Sequence, residues 1–413
     1  MFELAIIGEW AQFAVRWLHV ITAIAWIGSS FYFIALDLGL VKRPHHPPGV
    51  SGEEWQVHAG GFYHIQKYNV APEHMPDHLI WFKWESYMTW VSGFLMLCLL
   101  YYGGADLFLV NREALDVSAP VSILISLASL SIGWLVYDLL CKSPIGKHTV
   151  GLMLLLYVLL ICMAYGYTHI FTGRAAFLHM GAFTATIMTA NVFFIIIPNQ
   201  KIVVADLRAG RTPDPKYGKI AKQRSTHNNY LTLPVLFFML SNHYPLAFAT
   251  SFNWVIASLV FLMGVTIRHY FNTMHARKGQ PNWTWALTAI IFITIMWLST
   301  SPRILKPEDP NTAVAPAFEK FADDPHFADA KEIVSSRCSM CHAAEPVWDG
   351  IHRPPLNVQL ENDAEIAARA SQIYLQAGRS HAMPPGNVTD MTPQERATLV
   401  AWYQSSIGAK PNK

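Results

Sequence analysis

Cys338, Cys341 and His342 form a CxxCH run, the spacing at which c-type haem is attached to protein. The two thiols add to the vinyl groups of the haem, and the adjacent imidazole becomes the proximal ligand of the iron. The alternative for a close cysteine pair is a zinc or disulfide site. The three other cysteines lie singly in apolar segments and offer no second pair. The run therefore predicts one covalent haem c.

A Met-Pro pair, Met383-Pro384, follows the CxxCH run at a distance typical of the loop that carries the sixth iron ligand of a small cytochrome c. A Met/His ligand pair raises the reduction potential of the haem. Met383 is therefore the predicted distal ligand. His381, two residues earlier, is the competing donor.

The residues around these ligands fit the same domain. Pro354–Leu356 is predicted to supply a carbonyl that orients the ring of His342. Thr392-Pro393-Gln394-Glu395 has the pattern of a capping box, with Pro at the first helical position, and predicts a helix through Trp402. The order of helix, CxxCH, Met loop and closing helix resembles a class I cytochrome c domain.

The rest of the chain has a different composition. The whole sequence is 52% hydrophobic and 14% charged, and its apolar segments are concentrated in residues 1–300. We predict an all-α protein, with an eight-helix transmembrane bundle in 1–300, a linker at 301–316, and a cytochrome c domain at 317–413. The predicted spans, judged by the ~20 residues that a bilayer requires, are Phe13–Leu38, Ile80–Tyr102, Val121–Leu140, Val150–Tyr167, Ala176–Ile197, Tyr230–Tyr244, Phe248–Ile267 and Trp283–Thr300.

Basic residues in the loops predict the orientation of this bundle. Alternate loops carry nearly all of them, with the richest stretch between Lys201 and Arg224, whereas the opposite loops between spans carry only Arg112 and Arg174. With eight spans, the positive-inside rule places both termini on the periplasmic side of a bacterial inner membrane, where c-type haem is attached. Topology explains the basic residues, so no nucleic-acid partner is predicted. The first ten residues include Glu3 and Glu9 and lack the basic segment that begins a cleavable signal peptide, so no such peptide is predicted.

Histidines within the predicted spans are candidate ligands of a second cofactor. His19 and His179 lie at similar depth in two spans that both run inward from the outer face, so they are predicted to bind a haem b. The alternative is that each is a hydrogen-bonded helix residue. His19 and the following Trp26-Ile27-Gly28 are similar to the haem-binding first helix of small four-helix membrane haem proteins.

Polar residues on the inner half of the bundle suggest a site for a planar anion. Such a ligand needs aromatic faces, a cation and amide or carboxylate partners at a membrane mouth, because these satisfy its ring, its charge and its polar edge. Two segments offer them: 70–85, with Trp81 and Trp84, and 224–230. The alternative is that these are interfacial anchors and an aromatic belt. The candidate polar residues are Lys83, Glu85, Asn191, Arg224, His227, Asn228 and Asn229.

The architecture and several segments together resemble the membrane-bound urate hydroxylases, also called cytochrome c urate oxidases. The resemblance covers nearly the whole chain. The segments that carry it are Tyr68–Gly93, Gly173–Gln200, Ser225–Tyr244 and Arg268–Asn272.

The resemblance implies oxidation of urate to 5-hydroxyisourate, with water as the oxygen source and cytochrome c as the electron acceptor. Electrons would pass on to a downstream cytochrome c or a terminal oxidase, and no hydrogen peroxide would form. On chemical grounds, His227 or Glu85 is a candidate base for water. Arg224 or Lys83 would hold the anion, while Asn191, Asn228 or Asn229 would bond its carbonyl and N–H edges.

Two other functions use the same sequence features. A respiratory subunit with a tethered cytochrome c would oxidise quinol from the lipid bilayer, and quinol rather than urate would then reduce its haem. A haem-linked sensor or assembly factor would turn over neither donor.

Overall fold

The computed structural model describes residues 4–69, 76–111, 114–115, 117–305, 314, 318–349, 351, 354–355 and 358–408. These form two compact units. One contains 12–242 and 246–302, and the other contains the described residues from 303 onward with short segments near the start of the chain and at 243–245. The domain boundaries predicted from the sequence stay predictions, and most of the 301–316 linker and the segment 70–75 lie outside the described residues.

The larger unit consists mainly of long helices. Their bounds are α1 (Leu4–Gly39), α2 (Trp84–Met96), α3 (Ala105–Phe108), α4 (Ala119–Lys142), α5 (Thr149–Thr168), α6 (Gly173–Ala190), α7 (Ile197–Arg208), α8 (Pro215–Leu240), α9 (Asn253–His275) and α10 (Trp283–Leu305). Single π-helical turns at 97–102 and 191–196 continue α2 and join α6 to α7.

Six helices among the described residues are long and apolar enough to cross a membrane, which is compatible with a multi-pass membrane protein. They are Ile6–Gly39, Ala119–Lys142, Thr149–Thr168, Gly173–Arg208, Asn253–His275 and Trp283–Thr300. The two further predicted spans are helical but do not meet that criterion. The apolar part of α8 begins only at Tyr230 and rises roughly 16 Å at 1.5 Å per residue, about half of a ~30 Å hydrocarbon core. Eight spans therefore stay a prediction.

The fold is mostly helical, as predicted, and a β-hairpin between α1 and α2 is added to it. Strands β1 (Val50–His58) and β2 (Gly61–Tyr68) pair in antiparallel register. Ala59 and Gly60 form the tight connection with φ of +49° and +77°, the positive values that two-residue hairpin turns require. Both strands alternate polar and aromatic residues, which is typical of a hairpin. They were not predicted because neither contains a long apolar run.

The core of the larger unit lies among α4, α5, α6, α8 and α9, where aromatic side chains pack in a buried cluster. Glycines allow two close approaches within it. The ring of Phe183 on α6 lies directly against Gly133 on α4, where a side chain would collide with it. A Cβ at Gly264 on α9 would lie 2.5 Å from Cδ of Pro234 on α8.

The smaller unit is built from short helices around Trp402, which is fully buried. Its helices are α11 (Glu319–Ala322), α12 (Phe327–Arg337), α13 (Ser339–His342), α14 (Asp363–Ala368), α15 (Ala370–Ile373) and α16 (Pro393–Ser406). The predicted capping box is confirmed, since the Glu395 N–H donates to Thr392 Oγ1 at 3.2 Å and the Thr392 N–H donates to Glu395 Oε2 at 2.6 Å. It starts α16, which runs through Trp402 as predicted.

Candidate functional site

A buried ion pair lies where the C-terminal end of α4 meets α8. Nη2 of Arg224 donates to Oδ1 of Asp138 at 2.7 Å, and the Arg224 side chain is 1% exposed. Its guanidinium carbon is 4.9 Å from the ring centroid of Tyr137. Lys142 also contacts Asp138, at 2.6 Å from Oδ2, but its side chain is 61% exposed. Within the protein interior, the charge of Arg224 is therefore balanced by Asp138.

A directed chain of hydrogen bonds runs beside this pair. Asn228 Nδ2 donates to the Met188 carbonyl at 2.9 Å, so Asn228 Oδ1 is an acceptor and receives Asn191 Nδ2 at 3.0 Å. Asn191 Nδ2 also donates to the Tyr137 hydroxyl oxygen at 2.9 Å. The hydroxyl lies 2.8 Å from Nδ1 of His227. Since a carbonyl only accepts, the direction of every amide bond in this chain is set by Met188.

The Tyr137 hydroxyl connects His227 to this chain of hydrogen bonds. Its oxygen accepts from Asn191 and lies 2.8 Å from His227 Nδ1, and which of these two atoms donates depends on the tautomer of the imidazole. In the tautomer that carries its hydrogen on Nε2, Nδ1 accepts the Tyr137 proton. That tautomer connects His227 to a reacting proton through the Tyr137 hydroxyl.

A second set of contacts lies on the α9 side of α8. Nε of Arg268 donates to Asn229 Oδ1 at 3.3 Å, and its Nη2 donates to Asn272 Oδ1 at 3.0 Å. Asn272 Nδ2 also donates to Asn229 Oδ1, at 2.9 Å. The Arg268 guanidinium lies 4.3 Å from the ring centroid of Phe31 on α1. We call both sets together the α8 polar layer: Tyr137, Asp138, Asn191, Arg224, His227, Asn228, Asn229, Arg268 and Asn272.

Several buried atoms of this layer have no partner among the described residues: Asn191 Oδ1, Nε and Nη1 of Arg224, and Asn229 Nδ2. An unsatisfied buried polar group costs about 1–3 kcal/mol, so native proteins rarely keep several together. Asn191 Oδ1 is an acceptor, whereas the Arg224 and Asn229 nitrogens are donors, and the Arg224 guanidinium is positively charged. A small polar ligand with carbonyl oxygens and at least one N–H would satisfy them.

Backbone irregularities position the layer. Asn191 is the first residue of the π-helical turn 191–196, which joins α6 to α7. Pro198 follows in the first turn of α7 and has no N–H for a helical hydrogen bond. Single π-turns inside helices frequently occur at functional sites because they redirect side chains. On α8 and α9, the close approach of Pro234 and Gly264 lies about one turn from Asn229 and Arg268. It brings the two helices near enough for those side chains to bond.

The structure thus brings together five of the seven residues predicted for substrate, which are Asn191, Arg224, His227, Asn228 and Asn229. It does not bring Lys83 and Glu85 to them. Lys83 precedes α2 with its Nζ 5.6 Å from the Trp84 ring centroid, and Glu85 lies half-buried in the first turn of that helix. No hydrogen bond among the described residues joins either side chain to the α8 polar layer.

Tyr137 and Asp138 were missed by the sequence reasoning. A signal for Asp138 was present, because it is an acidic residue inside the predicted span Val121–Leu140, and ionisable residues in spans are functional candidates by default. Tyr137 gave no such signal, since tyrosines near span ends usually belong to the interfacial aromatic belt.

The two histidines predicted to bind haem b have partners on different helices. His19 Nδ1 lies 3.0 Å from the Thr89 carbonyl and 3.2 Å from Ser92 Oγ, both on α2. His179 on α6 is fully buried and uses both ring nitrogens, with Nε2 2.7 Å from Ser126 Oγ and Nδ1 2.7 Å from the Ala175 carbonyl. An iron at Nε2 of His179 would have to displace the Ser126 hydroxyl, so the residues around His179 do not fit an axial ligand as they stand.

Hydroxyl groups of two serines on α4 and of two tyrosines form a hydrogen-bonded group next to His179. The Tyr102 hydroxyl lies 2.8 Å from Ser126 Oγ, which contacts His179. One turn along α4, Ser129 Oγ lies 2.8 Å from the hydroxyl of the buried Tyr167. We call these five residues the His179 network. It lies toward the N-terminal end of α4, on the far side of Gly133 from Tyr137.

The CxxCH run is arranged for haem attachment. Cys338 and Cys341 are free, half-buried thiols at the two ends of the turn that begins α13. Burial raises the pKa of the Cys338 thiol to about 12. His342 Nδ1 donates to the Val358 carbonyl at 2.8 Å, which leaves Nε2 for iron. The orienting carbonyl belongs to Val358 and not to the predicted segment Pro354–Leu356.

The Met383 loop is held by a buried arginine. Nη1 of Arg396 donates to the Met383 carbonyl at 2.8 Å, and its Nη2 donates to Asn387 Oδ1 at 2.9 Å. Met383 itself is 37% exposed and lies outside the buried core, as a ligand rather than a packing residue would. The competing His381 is exposed and has a positive φ of +55°. The donor set of this unit therefore fits a haem c.

One further cluster of potential metal ligands lies at the hairpin. His45, His46 and Glu53 place three ligand atoms within 4.8 Å of one another. Glu53 Oε2 also lies 2.7 Å from His64 Nε2, a contact that lowers the pKa of Glu53. His46 Nδ1 accepts the N–H of Arg43 at 3.2 Å, and its Nε2 lies 3.0 Å from Glu53 Oε2 but makes no hydrogen bond among the described residues. Glu53 therefore joins the two strands through His64 and contacts the preceding segment through Arg43 Nε at 3.7 Å.

Comparison with known proteins gives one match. The family model described as urate oxidase N-terminal matches residues 5–299, which include the whole α8 polar layer. No curated protein and no solved structure matches the chain.

Proposed function

This chain belongs to the urate oxidase N-terminal family, and on that premise we propose that it oxidises urate to 5-hydroxyisourate with electrons passing to its own cytochrome c unit. Urate and water together lose two electrons and two protons to give the hydroxylated product. The oxygen atom comes from water, so no dioxygen is needed at the site. The observation that carries the proposal is the α8 polar layer, which lies inside the matched region.

The unsatisfied atoms of the layer match the groups on urate. Arg224 and Asn229 offer N–H donors to ring carbonyl oxygens, and Asn191 Oδ1 offers an acceptor to a ring N–H. Because such buried donors and acceptors discriminate strongly against ligands that leave them unpaired, they favour a purine with several carbonyls over an apolar quinol. Both polar atoms of the Asn228 amide have partners, Oδ1 in Asn191 and Nδ2 in the Met188 carbonyl, so the role assigned to Asn228 is to position Asn191.

Tyr137 and His227 form the base in this proposal. A water that attacks C5 of the oxidised ring gives a proton to the Tyr137 oxygen, while the Tyr137 proton passes to His227 Nδ1, which lies 2.8 Å from that oxygen. The proton of the water thus ends on the imidazole, and the Tyr137 hydroxyl is restored. Glu85 remains the alternative base predicted from the sequence, and Lys83 the alternative cation.

The electron outlet rests on the smaller unit. Cys338 and Cys341 would hold haem c covalently, His342 Nε2 and the Met383 sulfur would be its axial ligands, and the bound haem would supply one-electron transfer at a raised potential. We further propose eight spans in a bacterial inner membrane, with both termini and the cytochrome c unit in the periplasm. A downstream cytochrome c or terminal oxidase would then be the partner.

Membranes that contain the protein are expected to consume urate, reduce added cytochrome c and release no stoichiometric hydrogen peroxide. Cyanide should stop urate loss where a terminal oxidase is the sole acceptor. These quantities are measured together by urate absorbance, cytochrome absorbance and a peroxide assay. Peroxide formed in a one-to-one ratio with urate would contradict the proposal, as would reduction by quinol without any response to urate.

A haem b between His19 and His179 is a separate proposal, which would require His179 Nε2 to leave Ser126 Oγ, and no step of the reaction is assigned to it. If it is present, acid-acetone extraction should release one non-covalent haem per chain from the intact protein and little from His19→Ala. The pyridine haemochrome spectrum of the extract measures it. Complete absence of extractable haem from folded protein with a full complement of haem c would rule it out.

A further inference from the structure

Arg268 is a buried cation without a carboxylate partner among the described residues. Among the described residues its side chain contacts neutral groups, which are the amides of Asn229 and Asn272 and the ring of Phe31. The residue is 6% exposed. Burying an unpaired charge costs several kcal/mol, and such a charge is normally paired or bound to a ligand. Arg224, by contrast, has its carboxylate in Asp138 at 2.7 Å.

This difference decides which arginine suits an anion. An anion at Arg224 would lie beside the Asp138 carboxylate, so it would meet a like charge or have to displace it. An anion at Arg268 would meet an uncompensated guanidinium. The buried Asn229 Nδ2, which lacks a partner, belongs to the same hydrogen-bonded group as Arg268 and offers a further donor.

We infer that Arg268 is the counter-ion of the substrate anion and that Asn229 Nδ2 donates to one of its oxygens. This inference rests on the proposed function, because it identifies the bound ligand with the urate monoanion. The two sides of the α8 polar layer then have different roles. Arg268 and Asn229 hold the charge on the α9 side of α8, while Tyr137 and His227 take the proton on the α4 side.

The test compares Arg268→Gln, Arg268→Lys and Arg224→Gln by the KM and kcat of urate-dependent cytochrome c reduction. Arg268→Gln should raise KM about ten- to a hundredfold, as expected for loss of a charge-assisted contact. Arg268→Lys keeps the charge and should raise KM less. Arg277→Gln, an exposed arginine just beyond α9, is the matched control and should leave KM unchanged.

The pH dependence of KM separates ion pairing from a structural role. Only anionic urate pairs with Arg268, so the wild-type KM for total urate should rise as the pH falls through the pKa of urate. Arg268→Gln should flatten that rise, whereas Arg224→Gln should keep it. Tyr230 on α8 is the titratable group whose charge acts on Arg268 among the described residues, and His269 and His275 lie on the same helix as Arg268. Histidine protonation would add positive charge and lower KM in acid, which is the opposite sign.

The outcomes separate this inference from the function on which it rests. A wild-type protein that does not oxidise urate would contradict the proposed function. An active wild type in which Arg268→Gln keeps the full rise of KM in acid, or in which Arg224→Gln alone loses it, would overturn the inference. Identical behaviour of Arg268→Gln and Arg268→Lys would overturn it as well, because charge would then be irrelevant.

Discussion

Tyr137→Phe is expected to slow the reduction of the cytochrome by urate about a hundredfold or more, with haem content unchanged. General acid–base catalysis contributes roughly 10²- to 10⁴-fold to enzymatic rates, and this substitution removes the one hydroxyl that links the site to His227. The phenyl ring keeps the shape of the side chain under Arg224. The measurement is the rate of haem reduction after mixing oxidised protein with urate in the absence of oxygen.

Two further variants make this prediction specific. Tyr167→Phe also deletes a buried hydroxyl, one that contacts Ser129 in the His179 network, and it should leave the rate near that of the wild type. His227→Ala should be slow, and its combination with Tyr137→Phe should be little slower, because the pair acts as a unit. A normal rate in Tyr137→Phe, or equal losses in both tyrosine variants, would contradict the relay. A large loss in Glu85→Gln alone would favour the base predicted from sequence.

Replacing both Cys338 and Cys341 with Ala should abolish covalent haem and, with it, urate-dependent reduction of any acceptor. The two thioether bonds need both thiols. Without haem c, electrons from urate would lose the outlet proposed for them. Haem staining of a denaturing gel measures attachment, and oxygen-free urate consumption measures the outlet. We expect the stain to be lost and the activity to fall to background.

Met383→Ala is the control for this experiment, because it removes the predicted distal ligand and leaves the attachment site intact. The stain should persist, while the potential falls and the weak sulfur-to-iron absorption band disappears. Stain that survives the double cysteine change would refute the attachment site. An unchanged spectrum of Met383→Ala would assign the distal position to His381.

Local patterns predicted the features of this fold that depend on neighbouring residues. Each of the eight predicted spans contains a helix, and the Thr392 capping box begins α16 as expected, because periodicity and caps act within a few residues. The hairpin at 50–68 was not predicted because its alternation is polar and aromatic rather than apolar. The sixth span, Tyr230–Tyr244, stays a prediction, and α8 itself begins earlier, at Pro215, with a first half that carries the charges of the α8 polar layer.

The site was predicted in part for a physical reason. Asn191, Arg224, His227, Asn228 and Asn229 stood out because polar groups in apolar helices are costly. Their partners depend on contacts between helices far apart in sequence, which no spacing reveals. The pairing of Asp138 with Arg224, and the neutral partners of Arg268 among the described residues, could only be read from the packed structure. The direction of the amide hydrogen bonds that lead to Tyr137 likewise depends on one backbone carbonyl of α6.

The contact of Phe183 with Gly133 has a consequence for energy conservation. A respiratory membrane stores work as a proton gradient, and an unbroken file of hydroxyls and imidazoles across it would act as a leak. The residues of α4 that belong to the His179 network and those that belong to the α8 polar layer lie on either side of Gly133. The ring of Phe183 packs against Gly133 between these two groups. Among the described residues of α4, no hydrogen bond crosses that ring. If the larger unit spans a membrane as proposed, Phe183 would separate these two hydrogen-bonded groups, so that a proton released in the α8 polar layer would find no continuous path along α4.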